Sequence, residues 1–129
     1  MKISNRQLVR IFNNIGKIRE KNLPIKLGFA INKNMSAMET VAQAYDSERS
    51  KILAKYAEKD ENGQYKTDGE EYVLTDKESY AKEITELLEI ENEIQVHTVS
   101  VGDLERCDSD KFDSLSPNDL SVLEFMIEE

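Results

Sequence analysis

The side chains that most often perform chemistry are scarce in this 129-residue chain, which contains one His and one Cys. A single Cys excludes an internal disulfide, and one His with one Cys does not supply the ligand set of a usual zinc site. The sequence contains no Gly-rich phosphate loop, no G-x-S-x-G nucleophile motif and no Cys pair. We therefore expect a protein that is not an enzyme and that holds no cofactor or metal ion.

Neither His97 nor Cys107 has sequence neighbours that indicate catalysis. No Ser-His-Asp or Cys-His arrangement surrounds His97, so we expect a structural or half-exposed residue. Cys107 precedes Asp108, and nearby carboxylates raise the pKa of a thiol, which disfavours the nucleophilic thiolate. Both residues are therefore interpreted as parts of the scaffold.

Two groups of carboxylates have spacings that invite comparison with metal sites. Asp108, Asp110 and Asp113 lie in an acidic stretch that lacks the glycine turn and the terminal Glu of an EF-hand. A second group lacks the Glu-x-x-His pairs of a carboxylate-bridged centre; it consists of Glu86, Glu89, Glu91 and Glu93. The sequence leaves open whether residues 103–113 bind a cation, and it favours an exposed acidic loop that contacts a partner.

Charge is distributed very unevenly along the chain, whose formal net charge is −9. Residues 1–33 carry eight basic residues against the single acid Glu20, which gives +7, and the remainder carries −16. If the segments pack together the charges neutralise one another, and if they lie apart the molecule is dipolar. Phosphate repulsion disfavours direct nucleic-acid binding, but an acidic protein that occupies the basic groove of a nucleic-acid-binding protein is compatible with this balance.

Exposed charged residues are the candidates for contact with a partner protein. Three basic candidates lie on the first predicted helix and three charged candidates on the second, and the acidic loop supplies the rest. They are Arg6, Arg10 and Lys17, then Asp46, Glu48 and Arg49, then Asp108, Asp110 and Asp113.

Hydropathy patterning predicts an α+β fold with about four helices on a small two- or three-stranded sheet, in one domain over residues 1–129. Residues 4–21 are expected to form a helix, because Ser4 and Gln7 have capping-box spacing and apolar residues follow every three or four positions. From residue 23 to 31 apolar residues occur at every second position, which predicts the first strand of the sheet.

The middle of the chain predicts a long helical hairpin. One helix spans 34–59 with Asn34 as its cap, and an antiparallel helix spans 76–91 after capping-box spacing from Thr75 to Glu78. The first is longer than a domain of this size needs, so it either projects or packs against a partner. Residues 59–71 are expected to form a polar, mobile excursion, with a hairpin around Tyr65 and an edge strand at 72–74 as open possibilities.

The last third predicts the second strand of the sheet, over 93–101, followed by the acidic loop 102–114. Ser116 then provides a cap with Pro117 at the first helical position, which predicts a helix over 117–127. No apolar run approaches the roughly 20 residues of a membrane span, and a signal-peptide core is lacking. We therefore expect a cytoplasmic protein without a membrane partner.

Both ends of the chain resemble a family of small proteins of phages and prophages from Gram-positive hosts, whose function is uncharacterised. Met-Lys-Ile-Ser-Asn-Arg-Gln-Leu at 1–8 and Lys-Asn-Leu-Pro-Ile-Lys-Leu at 21–27 are similar to its opening. Leu-Ser-Pro-Asn-Asp-Leu at 115–120 and Leu-Glu-Phe-Met-Ile-Glu-Glu at 123–129 are similar to its ending. The two ends that carry the resemblance, residues 1–27 and 115–129, cover about a third of the chain, and the family supplies no catalytic residues to transfer.

The resemblance implies a phage-encoded accessory protein of the infected or lysogenic bacterial cell. The expected function is binding of a host or phage protein, with inhibition of a host defence or nucleic-acid-handling protein as the principal hypothesis. One alternative is a virion or tail-assembly accessory that self-associates. Another is a small-ligand-binding protein that uses the space over Gly28 and Ala30.

Overall fold

A computed structural model describes residues 1–128 and has a small α+β fold, as the sequence predicts. The described residues form five α-helices and two antiparallel two-stranded sheets. The elements, in chain order, are β1 (Lys2–Ser4), α1 (Asn5–Arg19), α2 (Ile25–Tyr56), β2 (Thr67–Asp68), β3 (Glu71–Tyr72), α3 (Lys77–Glu89), β4 (Glu91–Glu93), α4 (Val101–Glu105) and α5 (Pro117–Leu123).

The helix α1 supplies the centre of the core, and its prediction is confirmed. Ser4 caps it by accepting from the Gln7 N–H at 3.1 Å, while the Gln7 side chain accepts from the Ser4 N–H at 2.9 Å. Its apolar stripe is buried against α2, α3 and α5. The buried side chains of this stripe are Leu8, Ile11, Ile15 and Ile18.

The predicted strand over 23–31 is wrong, because these residues open the helix α2. Pro24 occupies the cap position, and its carbonyl accepts from the Gly28 N–H at 3.0 Å. Alternating apolar residues are also four apart, so Leu27 and Ile31 share one side of a helix and are buried. Ala30 is buried as well, so the open strand face over Gly28 and Ala30 that a ligand was expected to use is absent.

The sheet on the core joins different segments from those predicted. β1 pairs with β4 in antiparallel register, with Lys2 opposite Glu93 and Ser4 opposite Glu91. The predicted strand over 93–101 is wrong beyond Glu93: Val99 makes only an isolated bridge to Ile127, and α4 begins at Val101. The sheet is therefore short, and helices provide most of the buried surface.

The sequence predicts that Asn34 caps a helix, and this prediction is wrong. Asn34 is a buried residue inside α2. Its Nδ2 donates to the His97 carbonyl at 2.8 Å, and its Oδ1 accepts from the His97 N–H at 2.7 Å. One side chain thus replaces the neighbouring strand that would otherwise satisfy the backbone of His97. These two bonds fix the 94–99 segment against α2.

The predicted helical hairpin is present, and its tip contains short β-structure. α2 and α3 run antiparallel, with Lys55 Nζ 3.0 Å from Glu83 Oε1 near the tip. β2 and β3 form a hairpin whose turn contains Gly69 at φ +68°, a conformation that glycine adopts without steric cost. Asp76, rather than Thr75, caps α3 by accepting from the Ser79 N–H at 3.1 Å.

The C-terminal third closes the core beside α1. The Ser116 cap of α5 and Pro117 at its first turn agree with prediction, but the helix ends at Leu123 and continues as a single 3-10 turn. The predicted acidic loop contains α4, whose cap Ser100 forms a capping box with Asp103. Across residues 1–128, none of the helices is both long enough and apolar enough to traverse a bilayer.

Candidate functional site

The N-terminal third of α2 presents two large apolar side chains to solvent. Ile25 is 88% exposed and Phe29 is 59% exposed, although Leu27 and Ile31 on the other side of the helix are fully buried. Because Ile25 and Phe29 are four residues apart, they lie on the same side of the helix. Isolated exposed apolar residues are common, but an adjacent pair this exposed on a regular helix is typical of an interaction surface.

His97 and Lys33 lie beside Phe29. The His97 ring meets the Phe29 ring edge to face, with centroids 5.8 Å apart and an interplanar angle of 83°. Lys33 Nζ lies 5.8 Å from the centroid of the same ring. The buried Asn34 side chain holds the His97 backbone through two partly buried hydrogen bonds, and these bonds help to position the imidazole. We call Ile25, Phe29, Lys33 and His97 the Phe29 face.

Two basic residues lie within or beside the Phe29 face. Lys26 follows Ile25 in α2, and Lys33 extends the face by one turn. Asp103 interacts with Lys26: the pKa of Asp103 lies below the ordinary value because Ser100 donates to its carboxylate, and Lys26 and Arg106 lower the pKa further. Lys26 therefore already interacts with one carboxylate of this chain, whereas Lys33 forms no ion pair within residues 1–128 and remains available to an acidic partner.

Two of the predicted contact residues line a groove between α1 and α2. Asp46 and Arg49 lie on the α2 side of a pocket of about 280 Å³, opposite Phe12 and Asn13 of α1. Tyr45 lines this pocket and also an apolar pocket of about 270 Å³ on the α3 side of α2. Glu48 belongs to that second pocket, so the structure separates it from the other two candidates.

The basic candidates on α1 have different surroundings. Arg10 Nη2 donates to the Ser121 hydroxyl, and Arg10 lines a pocket of about 510 Å³ between α1 and the C-terminal segment. Arg6 and Lys17 are exposed, and no ion pair involves either among residues 1–128. The structure therefore assigns a local packing role to Arg10 and leaves Arg6 and Lys17 available to a partner.

The acidic candidates do not form one cluster. Asp113 Oδ2 accepts from the Asn22 N–H at 2.7 Å, which ties the loop to the end of α1. Asp110 is exposed, and Asp108 lines a different surface pocket of about 290 Å³. Within the described part of the chain, no three His, Cys, Asp or Glu residues converge in a way that suits a metal ion.

Cys107 is buried, and its thiol pKa is raised. Burial is the larger cause and the Asp108 carboxylate the smaller one. The sequence predicted the direction of this shift from the neighbouring carboxylates, but burial could not be inferred from them.

Sequence reasoning missed the Phe29 face, because it placed Ile25 and Phe29 on the buried side of a strand. A usable signal exists in the same residues: the pairs 25/29 and 27/31 both have helical spacing, and a helix cannot bury two pairs that lie on different sides. The two lysines beside the first pair, Lys26 and Lys33, mark that pair as the one exposed to solvent.

Comparison of this chain with protein-family models, with curated proteins and with solved structures yields no match. The geometry of the described residues is therefore the basis for inferring a function.

Proposed function

We propose that this chain is a non-enzymatic, phage-encoded accessory protein that binds another protein through the Phe29 face. The exposed pair Ile25 and Phe29 is the observation that carries the proposal. The phage origin is supported by the resemblance of the two chain ends to small phage proteins. A host defence or nucleic-acid-handling protein is the class of partner that we favour.

The chemistry of the Phe29 face specifies the kind of segment that fits it. Two apolar side chains next to Lys26 and Lys33 suit an apolar segment of the partner that carries acidic residues at its edges. Covering an exposed Ile or Phe completely contributes about 1.5–3 kcal/mol to association. The lysines add steering and orientation more than affinity.

The helix α2 is suited to hold such a surface in a fixed geometry. Leu27, Ala30 and Ile31 anchor the opposite side of the same turns in the core, and Asn34 ties the helix to the 94–99 segment. A partner therefore meets a preformed face, so less conformational entropy is lost on binding than with a loop.

Copurification from infected Gram-positive host cells tests the proposal. A tagged protein should recover one host protein in near-equal amount at moderate salt, and the double variant I25E/F29E should recover at least tenfold less of it. The control I90E introduces an acid at another apolar residue that is 51% exposed and should behave as wild type.

Each alternative outcome has a definite meaning in this design. Equal recovery by wild type and I25E/F29E contradicts the use of the Phe29 face. Recovery of tail or capsid proteins in place of a host protein supports the assembly alternative. Recovery of the tagged protein alone contradicts the protein-binding function under the conditions of infection.

A further inference from the structure

Four of the five tyrosines in the chain surround the tip of the α2–α3 hairpin. They form two edge-to-face pairs: Tyr56 with Tyr80, at 6.3 Å between ring centroids, and Tyr65 with Tyr72, at 5.6 Å. Such pairs are favourable beyond the area they bury. The tip thus has a small aromatic cluster of its own, at the far end of α2 from the Phe29 face.

In each pair, a lysine of this chain lies over one of the two rings. Lys55 Nζ lies 5.2 Å from the Tyr56 centroid, and Lys59 Nζ lies 5.4 Å from the Tyr65 centroid. In residues 1–128, no Lys or Arg nitrogen occupies the corresponding position over Tyr72 or Tyr80. Tyr72, which is 46% exposed, can therefore receive a cation from another molecule.

Tyr72 and Tyr80 line the same pocket, which has a volume of about 350 Å³. Leu74 adds an apolar side chain to the lining, which also includes Glu70, Glu71 and Lys77. Two carboxylates against one ammonium leave a net negative charge beside two aromatic rings. An extended apolar stem that ends in a cation matches this lining, since the stem packs on the rings while the charge meets the carboxylates.

We propose that this pocket, which we call the tyrosine pocket, binds an arginine or lysine side chain of a partner protein. The planar guanidinium of arginine stacks on aromatic rings and pairs with carboxylates at the same time, so arginine is the better ligand. The site lies on a different part of the molecule from the Phe29 face and does not depend on the function proposed for that face. Binding of an arginine in the tyrosine pocket would bring the acidic tip of the hairpin against a basic surface of the partner protein.

Titration of the isotope-labelled full-length protein with N-acetylarginine amide, followed by NMR, tests the site. Chemical shifts of Tyr72, Leu74 and Tyr80 should move together, with a dissociation constant in the millimolar range for so small a probe. N-acetylcitrulline amide has the same shape without the charge, and it should bind at least fivefold more weakly. Equal binding of the two probes, or shifts centred elsewhere, would overturn the proposal.

Matched variants separate the aromatic contribution from charge alone. Y72F keeps the ring and should bind the arginine probe within twofold of wild type. Y72L removes the ring and should weaken binding roughly two- to fivefold, the range expected for a cation–π contact at an exposed site. Tyr72 is 46% exposed, so both variants should fold, and their amide spectra provide the check. Unchanged binding by Y72L would contradict the proposal.

Discussion

At the scale of single residues, Asn34 shows how one buried amide can position a surface. Its side chain satisfies both backbone groups of His97, and His97 in turn packs against Phe29. A buried polar side chain inside a helix is unfavourable unless its hydrogen bonds are complete. Asn34 therefore links the core of the protein to the Phe29 face.

Replacing Asn34 by Ala should lower the free energy of unfolding by about 1–3 kcal/mol, because the His97 backbone loses both partners. Chemical denaturation measures the change. N13A is the matched control, since Asn13 is exposed on α1, and it should change the free energy of unfolding by no more than about 0.5 kcal/mol. Equal stability of N34A and wild type would contradict the role assigned to this amide.

Asp103 should make a pH-dependent contribution to stability. Its folded pKa lies below the ordinary value of 3.8 because the Ser100 N–H donates to its carboxylate, and Lys26 and Arg106 add to the effect. A lowered folded pKa means that the ionised form stabilises the fold above about pH 4, and that this stabilisation disappears as the pH falls through the lower folded value. D103N should therefore be less stable than wild type at neutral pH.

Thermal unfolding of both proteins across a range of pH tests this prediction. The difference in Tm between wild type and D103N should be largest at neutral pH and should shrink as the pH falls below 3.8. The control is D110N, which removes the same charge from an exposed residue that caps no helix. A difference for D103N that stays constant down to acid pH would show that the carboxylate charge is not responsible.

At the scale of elements, three capping signals marked helix starts to within one residue, whereas the Asn34 cap and the alternation of apolar residues over 23–31 both gave wrong predictions. Ser4 with Gln7, and Ser116 with Pro117, predicted helix starts that the structure confirms. These signals are local, since a cap satisfies amides only three residues away. The same kind of signal, Ser100 with Asp103, also marks α4, but the acidic stretch around it led to the prediction of a loop.

The first strand was predicted wrongly because strand and helix periodicity overlap over nine residues. Every second apolar residue also gives pairs four apart, so Leu27 with Ile31 satisfies a helix as well as a strand. The choice between them depends on tertiary contacts with α1, which a local pattern does not contain. For the same reason none of the predicted contact residues belongs to the Phe29 face: Asp46 and Arg49 share a different groove, whereas the apolar residues of the Phe29 face were assigned to the core.

Paired alanine substitutions test the orientation of α2 directly. L27A should lower the free energy of unfolding by about 2–5 kcal/mol, because Leu27 is completely buried. I25A should change it by about 0.5 kcal/mol or less, since Ile25 is 88% exposed. Denaturant unfolding of the two variants measures both changes in the free energy of unfolding. Similar losses for both would indicate that residues 23–31 share one buried face, as a strand would require.

At the scale of the whole molecule, two candidate binding surfaces lie near opposite ends of α2. A helix of 32 residues is on the order of 45 Å long at 1.5 Å per residue. Apart from His97, the Phe29 face belongs to the basic N-terminal segment, and the tyrosine pocket belongs to the acidic remainder. The basic segment therefore carries the surface that favours an acidic partner, and the acidic remainder carries the surface that favours a basic partner.

Substitutions at the two surfaces should act independently, because sites this far apart rarely couple. I25E/F29E should leave the dissociation constant of N-acetylarginine amide within twofold of wild type, and Y72L should leave recovery of the partner through the Phe29 face unchanged. NMR titration and copurification measure the two effects. A change of more than fivefold in either cross-comparison would show that the surfaces are coupled.

Site-specific photo-crosslinking in infected cells tests the central claim most directly. A p-benzoylphenylalanine at position 29 should give one predominant adduct with a single partner protein, because this side chain is in the proposed interface. The same group at position 90, on another exposed part of the surface, should not give that adduct. Identical adducts from both positions, or none from position 29, would contradict the assignment of the Phe29 face as the binding surface.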